Sequence, residues 1–249
     1  MKYFAMLLIC IMLLFCTASA AEPIILMYHR LSNTEASDAY TITPRTFEQD
    51  IIYLKNKGYK FCTAKEFAEA VKAKNTSDLA VITFDDGYSS DYIYALPILE
   101  KYDAKATFYI IGSKINTTGY MTTQQLKQLS LSDKVQLGNH FYEIHDYTRD
   151  NLSSMYKTEP HKIKADYDRN IKFIKSITGI MVTTASYPYG VYGNYFDYMI
   201  KNEGTVRFCS KEEPPQSSNT PYGRYTRSAT TTLNRIEERI KAASKVDLN

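Results

Sequence analysis

From Ile24 onward, short apolar stretches rich in β-branched and aromatic residues alternate with segments of helical periodicity. That alternation admits little besides a parallel sheet built from βα units, because each strand must cross over through a helix before pairing in parallel. Strands are expected at Ile24–Tyr28, Leu79–Phe84, Ala106–Ile111, Val135–Gly138 and Val182–Tyr187, with a further short one before the last helix. Pro44–Lys57 sets Phe47, Ile51 and Leu54 at helical spacing, with Gly58 as the stop, and Lys65–Lys74 repeats the pattern. Helices are also expected at Tyr92–Tyr102, where Pro97 demands a kink or an early break, and at Gln124–Leu129, Ile163–Ile177, Tyr195–Asn202 and Leu233–Ser244. About seven strand-helix pairs in a chain of this length predict an α/β fold that closes, or nearly closes, into a (β/α) barrel. Functional residues then belong on the loops at the carboxyl ends of the strands. No linker divides the chain, so residues 21–249 are expected to form a single domain. Within it, 21–78 supplies an N-terminal strand and helices, and 79–249 the core that carries the motifs.

Charge and targeting narrow the function. A formal net charge of +3, from 30 Lys plus Arg against 27 Asp plus Glu, lacks the concentrated basic excess that nucleic acid requires. The longest apolar run, Phe4 to Cys16, is shorter than the roughly 18 residues that cross a bilayer. It follows Lys2 and precedes Ala18-Ser19-Ala20, so residues 1–20 read as a cleaved secretory signal. The mature chain then starts at Ala21, has no integral membrane segment and works outside the cytoplasm, secreted or at the cell surface. Cys10 and Cys16 follow bulky residues, which argues against a lipoprotein signal. Only Cys62 and Cys209 remain after cleavage, so there is no disulfide framework and no four-ligand cysteine site. A metal would have to be held by His and carboxylate.

Two features carry chemistry. In Thr83-Phe84-Asp85-Asp86-Gly87-Tyr88, adjacent carboxylates close an apolar strand where a barrel places catalysis, and a bend at Gly87 would turn both acids into one cavity. An Asp-Gly turn with a solvated acid before it is the alternative. In Gly138-Asn139-His140-Phe141-Tyr142-Glu143-Ile144-His145-Asp146, two of the four histidines stand five apart. That spacing sends them apart on a helix and to opposite faces on a strand, so they converge only if the chain turns between them. One packed and one exposed histidine is the alternative there. Taken together, the two features offer one Asp and two His as ligands, with coordination positions left for water and substrate and one acid left over as a base.

On these residues the chain resembles polysaccharide deacetylases with a NodB-homology domain, carbohydrate esterase family 4, which fold as a distorted (β/α) barrel. The likeness runs from about Leu79 to the end. By that resemblance Asp85 is the base, Asp86, His140 and His145 bind the metal, and Ser186-Tyr187-Pro188-Tyr189-Gly190 is a third motif in which the Tyr189 N–H helps hold the oxyanion. The histidine separation is one residue longer than in most of the family and is similar to that of the poly-N-acetylglucosamine deacetylases.

Three departures stand out. The arginine expected three residues before Pro188 is Ala185, so another residue must orient Asp85, and Arg227 in Arg224-Tyr225-Thr226-Arg227 is a candidate. The chain has no tryptophan, and no histidine follows His161, so the family's late general acid is missing. The poly-N-acetylglucosamine branch implies a replacement in Met27-Tyr28-His29, whose histidine sits on the same rim. His161, at a helix start, reads as a surface residue.

The resemblance therefore implies a secreted hydrolase that removes N-acetyl groups from a GlcNAc-containing polysaccharide, poly-β-1,6-GlcNAc or a related glycan. It implies one divalent ion, zinc by default with cobalt, nickel or iron as options. Tyr187, Tyr189, Tyr192 and Tyr195 are candidates for stacking on sugar rings, and a monomer is expected. An O-acetyl esterase on xylan-type glycan and a non-catalytic glycan-binding module are the competing readings.

Overall fold

A computed structural model of the chain describes residues 21–34, 38–213 and 219–246, with side chains in the last helix followed as far as residue 242. The expected signal segment lies outside the described residues, as does part of the loop 213–223.

The sheet is wholly parallel. Its strands are β1 (Ile24–Tyr28), β4 (Lys60–Cys62), β5 (Leu79–Phe84), β6 (Ala106–Ile110), β7 (Val135–Asn139), β8 (Thr184–Ser186), β9 (Val206–Phe208) and β10 (Tyr225–Thr226), while β2 (Arg30–Leu31) and β3 (Thr41–Ile42) form a separate ladder. The order is β10-β1-β5-β6-β7-β8-β9. Along one edge of β5, β4 pairs with Leu79–Val81 and β6 with Thr83–Phe84. The sheet curls until its far ends meet, among the described residues, in a single bridge, Phe208 to Tyr222, just ahead of β10. The expected barrel is therefore present, closed by that one bridge.

The helices are α1 (Pro44–Asn56), α2 (Ala64–Lys72), α3 (Leu96–Tyr102), α4 (Thr123–Leu129), α5 (Arg149–Thr158), α6 (Pro160–Thr178), α7 (Asn194–Asn202) and α8 (Leu233–Val246). Thr43, Thr63, Thr122 and Thr148 each cap a helix by accepting from the backbone N–H three residues on, an arrangement worth about 1 kcal/mol apiece. The break expected around Pro97 falls just ahead of it. A π-helical turn over Asp91–Ala95 ends ahead of it, and Pro97 falls in the first turn of α3, where no N–H is needed.

Strand parity separates two environments. Leu26, Tyr28, Ile82, Phe84 and Phe108 face the helical layer and pack with Phe47, Ile51 and Leu99. Ile25, Val81 and Tyr109 point the other way, into the curl, where Phe67 of α2 meets Tyr222 and Phe208. At Gly138 of β7 a Cβ would lie 2.4 Å from the Tyr109 ring, so this strand passes the filled interior only without a side chain. Residues of the inward parity on β1 and β5 run through Met27 and Thr83 to His29 and Asp85, which brings those two to the open end.

Candidate active site

Asp85 continues the β5 ladder by donating its N–H to the Tyr28 carbonyl at 3.0 Å. Asp86 and Gly87 follow with φ of 78° and 84°. Two successive left-handed residues reverse the chain at once, so Asp86 returns to the cavity that Asp85 already faces, where a continued strand would send it to the opposite side. The expected bend thus begins one residue earlier than Gly87, at an Asp, a residue type that enters this region at modest cost.

The second motif turns in the same manner. Past β7 the Asn139 side chain accepts the Phe141 N–H at 2.7 Å, Phe141 takes φ of 66°, and a 3-10 turn over Ile144–Asp146 carries His145 back. His140 Nε2 lies 3.4 Å and His145 Nε2 3.6 Å from Asp86 Oδ1. Tetrahedral zinc with bonds near 2.0–2.1 Å spaces its ligands about 3.3 Å apart, so the set fits such an ion. Asp86 Oδ1 is buried and has no hydrogen-bond partner among the described residues, an orphan that a cation would satisfy. His140 Nδ1 lies 2.8 Å from the Ser186 carbonyl, which can only accept, so Nδ1 carries the proton and Nε2 presents its lone pair.

Charges around this point act strongly on one another. Burial alone would raise Asp85, but the Arg224 guanidinium, aided by His140, holds its carboxyl well below the usual range. Asp86 is likewise lowered: burial opposes ionisation, and the neighbouring His140, His29 and His145 outweigh it. Burial, then the nearness of His140, takes His145 down to about 4, so it is neutral and able to ligate at neutral pH. For His140, Asp85, Asp86 and the Ser186 carbonyl outweigh burial and raise its pKa.

Arg224, and not Arg227, orients Asp85. Arg224 Nη1 donates to Asp85 Oδ1 and Nη2 to Asp85 Oδ2, both at 2.7 Å, while Nη2 also reaches Ser186 Oγ at 2.6 Å and Nη1 reaches Thr83 Oγ1 at 3.0 Å. Ser186 Oγ adds a bond to Asp85 Oδ2 at 3.1 Å. Arg227 is bound to Asp50 of α1, with Nε donating to Oδ2 at 2.7 Å and Nη2 to Oδ1 at 3.1 Å. The reason is parity. Tyr225, between them, packs in the helical layer, and Arg227 two residues on shares its face, whereas Arg224 points into the curl.

The remaining candidates divide. His29 lines the same cleft of about 350 Å³ as Asp85, Asp86, His140 and His145. Its Nδ1 is buried without a hydrogen-bond partner among the described residues, and burial, partly offset by Asp86 and Asp85, lowers its pKa. Tyr189 lines the cleft at φ of 55°, its hydroxyl donating to the His145 carbonyl at 2.8 Å and its ring 4.7 Å from the imidazole. Tyr187 is only 1% exposed, with its hydroxyl given to Asp197 at 2.7 Å. It forms wall and offers no ring face to a sugar, which corrects the stacking expected of it. Tyr192 and Tyr195 are exposed at 36% and 63%. Tyr40, packed on His29 at 4.8 Å, and Arg149 also line the cleft; sequence reasoning passed over both, since neither falls in a motif. Cys62 and Cys209 are buried and free, and His161 is exposed.

The sequence pattern of the family described as polysaccharide deacetylase matches residues 72–208, more than half of the chain. The chain belongs to the polysaccharide deacetylase family. It is 29% identical over 197 residues to YxkH of Bacillus subtilis, covering 78% of this chain and 63% of that protein. It is 27% identical over 194 residues to the poly-beta-1,6-N-acetyl-D-glucosamine N-deacetylase of Staphylococcus aureus, covering 76% of this chain and 67% of the enzyme. It thus spans about two thirds of these relatives' length. In fold it is similar to IcaB from Ammonifex degensii, with a TM-score of 0.74 at 23% identity over 88% of this chain and 97% of that one. A deacetylase of Streptococcus pyogenes, PplD, gives 0.71 at 18% identity over 88% and 98%. No described helix is long and apolar enough to cross a membrane.

Proposed function

We propose that this family member is an exported, metal-dependent N-deacetylase acting on a GlcNAc polymer of the poly-β-1,6-linked kind. The observation that carries the reading is the convergence of Asp86, His140 and His145 on one point of a cleft, with a separate acid, Asp85, locked beside it. The likeness to the staphylococcal enzyme and the Met27-Tyr28-His29 strand support the substrate class. The 1–20 segment supports export, and the whole constellation lies within one chain, which supports a monomer as the working unit.

An amide resists hydrolysis because water is a weak nucleophile and an amine a poor leaving group. A divalent ion bound by Asp86, His140 and His145, zinc by default, would supply Lewis acidity toward the acetyl carbonyl and water. Asp85, kept ionised and aimed by Arg224 and Ser186, accepts the proton of the attacking water. The Tyr189 N–H, on the left-handed turn after Pro188, donates to the developing oxyanion. His29, on the β1 side of the cleft, protonates the departing sugar amine. Its lowered pKa makes it a strong donor once charged, and the carboxylates beside it favour that charged form.

The test is release of acetate together with free amine from β-1,6-GlcNAc oligomers, chitin oligomers, peptidoglycan and acetylxylan. Amine release from the β-1,6 polymer is expected. Acetate from acetylxylan without amine from any glycan would give the O-acetyl esterase instead, and no acetate from any of them a binding module. For the acid, the His29→Ala variant should lose far more kcat/KM on the amide than on an activated aryl acetate, whose phenolate leaves unaided, and should retain its metal. Equal losses on the two substrates would remove His29 from that role.

A further inference from the structure

In the loop between the two histidines, 141–144, the Phe141 and Tyr142 carbonyls accept from the Gly112 and Ser113 N–H groups at 3.3 and 2.9 Å, but the 142–144 amides pair with no strand, and His145 must return to within ligating distance of Asp86. The structure shows what holds those amides. Tyr142 N–H donates to Asp166 Oδ1 at 2.9 Å, Glu143 N–H to Oδ2 at 3.0 Å and to Oδ1 at 3.3 Å, and Ile144 N–H to Oδ1 at 3.5 Å. Three consecutive amides thus close on one half-buried carboxylate, the arrangement in which a backbone concavity grips an anion.

Asp166 does not act alone on α6. One turn on, Asn170 donates to the Ile110 carbonyl and to Asn139 Oδ1, both at 2.7 Å, fixing the residue before His140. Arg169 lies 3.7 Å from the centre of the Tyr142 ring and pairs with Glu143 at 3.2 Å, and Phe173 meets the same ring edge-on at 5.5 Å. Positions 166, 169, 170 and 173 follow the i, i+3, i+4, i+7 spacing of a single helix face. That face is polar where the loop lies on it. Asn170 is wholly buried, a placement that its hydrogen bonds to the His140 strand explain.

We infer that Asp166 is a positioning residue for the metal centre: by gripping the 142–144 amides it sets where His145 Nε2 stands. It touches neither metal nor substrate, and it acts through the loop. The inference rests on the proposed metal site. Removing the carboxylate frees three amides and lets His145 drift, so metal affinity falls while the fold persists.

The experiment measures zinc affinity by chelator competition and the visible spectrum of the cobalt form for wild type, Asp166→Ala, Asp166→Asn, His145→Ala and the double variant His145→Ala/Asp166→Ala. Asp168→Ala, on the same helix, is the control, and circular dichroism of the metal-free proteins checks folding. Loss of an outer partner of a ligand costs about 10- to 100-fold in metal affinity, and that loss is expected for Asp166→Ala with an altered cobalt spectrum. Asp166→Asn keeps one acceptor but turns the other toward the Glu143 N–H as a donor, so a smaller loss is expected. If Asp166→Ala does not fold, Asp166→Asn carries the comparison. In the His145→Ala background the Asp166 change should cost nothing further, a coupling that general destabilisation would not produce. Wild-type affinity in both Asp166 variants, or a loss that persists undiminished without His145, overturns the inference. Wild type that binds no zinc overturns the metal reading beneath it, and the inference with it.

Discussion

Asp85 is the more heavily committed of the two cleft acids, with two bonds from Arg224 and one from Ser186 on a carboxylate that is 2% exposed. Removing the guanidinium leaves a buried anion without its counter-charge, at a cost of about 3–5 kcal/mol. Asp85 then gains protons more readily. The Arg224→Met variant should therefore lose thermal stability and move the acid limb of its kcat/KM profile to higher pH. An unmoved limb would mean that Arg224 does not govern the ionisation of Asp85. Asp91 makes the opposite case. It is fully buried in the π-helical turn, burial keeps its pKa well above the carboxylate range, and its Oδ2 has no partner among the described residues. An unfolded Asp ionises near 3.9, so folding must supply this group with a proton, and stability falls as pH rises above about 4 toward the folded value. Asp85, with its depressed value, contributes stability above about pH 4 that is lost as pH falls toward its folded pKa. Denaturation of Asp91→Asn against wild type at pH 5 and pH 8 should show the variant relatively more stable at the higher pH. A difference independent of pH would show that Asp91 is ionised in the fold.

Among the elements, the Asp50–Arg227 pair ties α1 to the segment after β10, directly behind β1. Tyr28 donates to Asp50 Oδ2 at 3.1 Å, Arg227 N–H donates to the Met27 carbonyl at 2.9 Å, and the guanidinium reaches the Ser228 and Thr231 carbonyls. Arg227→Met should destabilise by about 3–5 kcal/mol, as expected when one partner of a buried pair is removed, yet leave zinc affinity unchanged. A large loss of affinity would place Arg227 in the site after all. The sequence spelled out β1, β5, β6, β7, β8 and β10, most helices and the first two motifs, because apolar periodicity and an Asp-Gly turn are local signals, while the third motif was legible only through the family resemblance. It did not distinguish Arg224 from Arg227, since that choice depends on strand parity, and only the placement of Tyr225 against the helices reveals it. The parity was legible in principle: residues three apart on a strand cannot share a face, and an apolar neighbour marks the helical side. Asp166 had no signal of its own. An acid on a polar helix reads as solvated until the loop from β7, some twenty residues earlier, is seen lying on it. The short strands β2, β3, β4 and β9 and the helix α5 were equally invisible, having too few residues or too little apolar periodicity to stand out.

At the scale of the molecule, a parallel sheet curled until β9 nearly meets β10 gathers the ends of β1, β5, β7 and β8 on one rim. That geometry lets His29, the two acids, the two histidines and Tyr189, spread over 161 positions of sequence, face one cleft. Left-handed residues follow or form the motif ends at Asp86, Phe141 and Tyr189, so the backbone leaves its ordinary regions at three points of the rim, while His29 and Asp85 face inward by strand parity alone. In the proposed mechanism hydrolysis depends on a single cation held by Asp86, His140 and His145. The direct test is to strip the protein with a chelator and follow acetate release from a β-1,6-GlcNAc oligomer as zinc is added back. The rate should start near zero, rise in proportion to zinc and level off at one equivalent per chain. Full activity in the stripped protein, or a rate indifferent to added metal, would show that Asp86, His140 and His145 do not act through a bound cation.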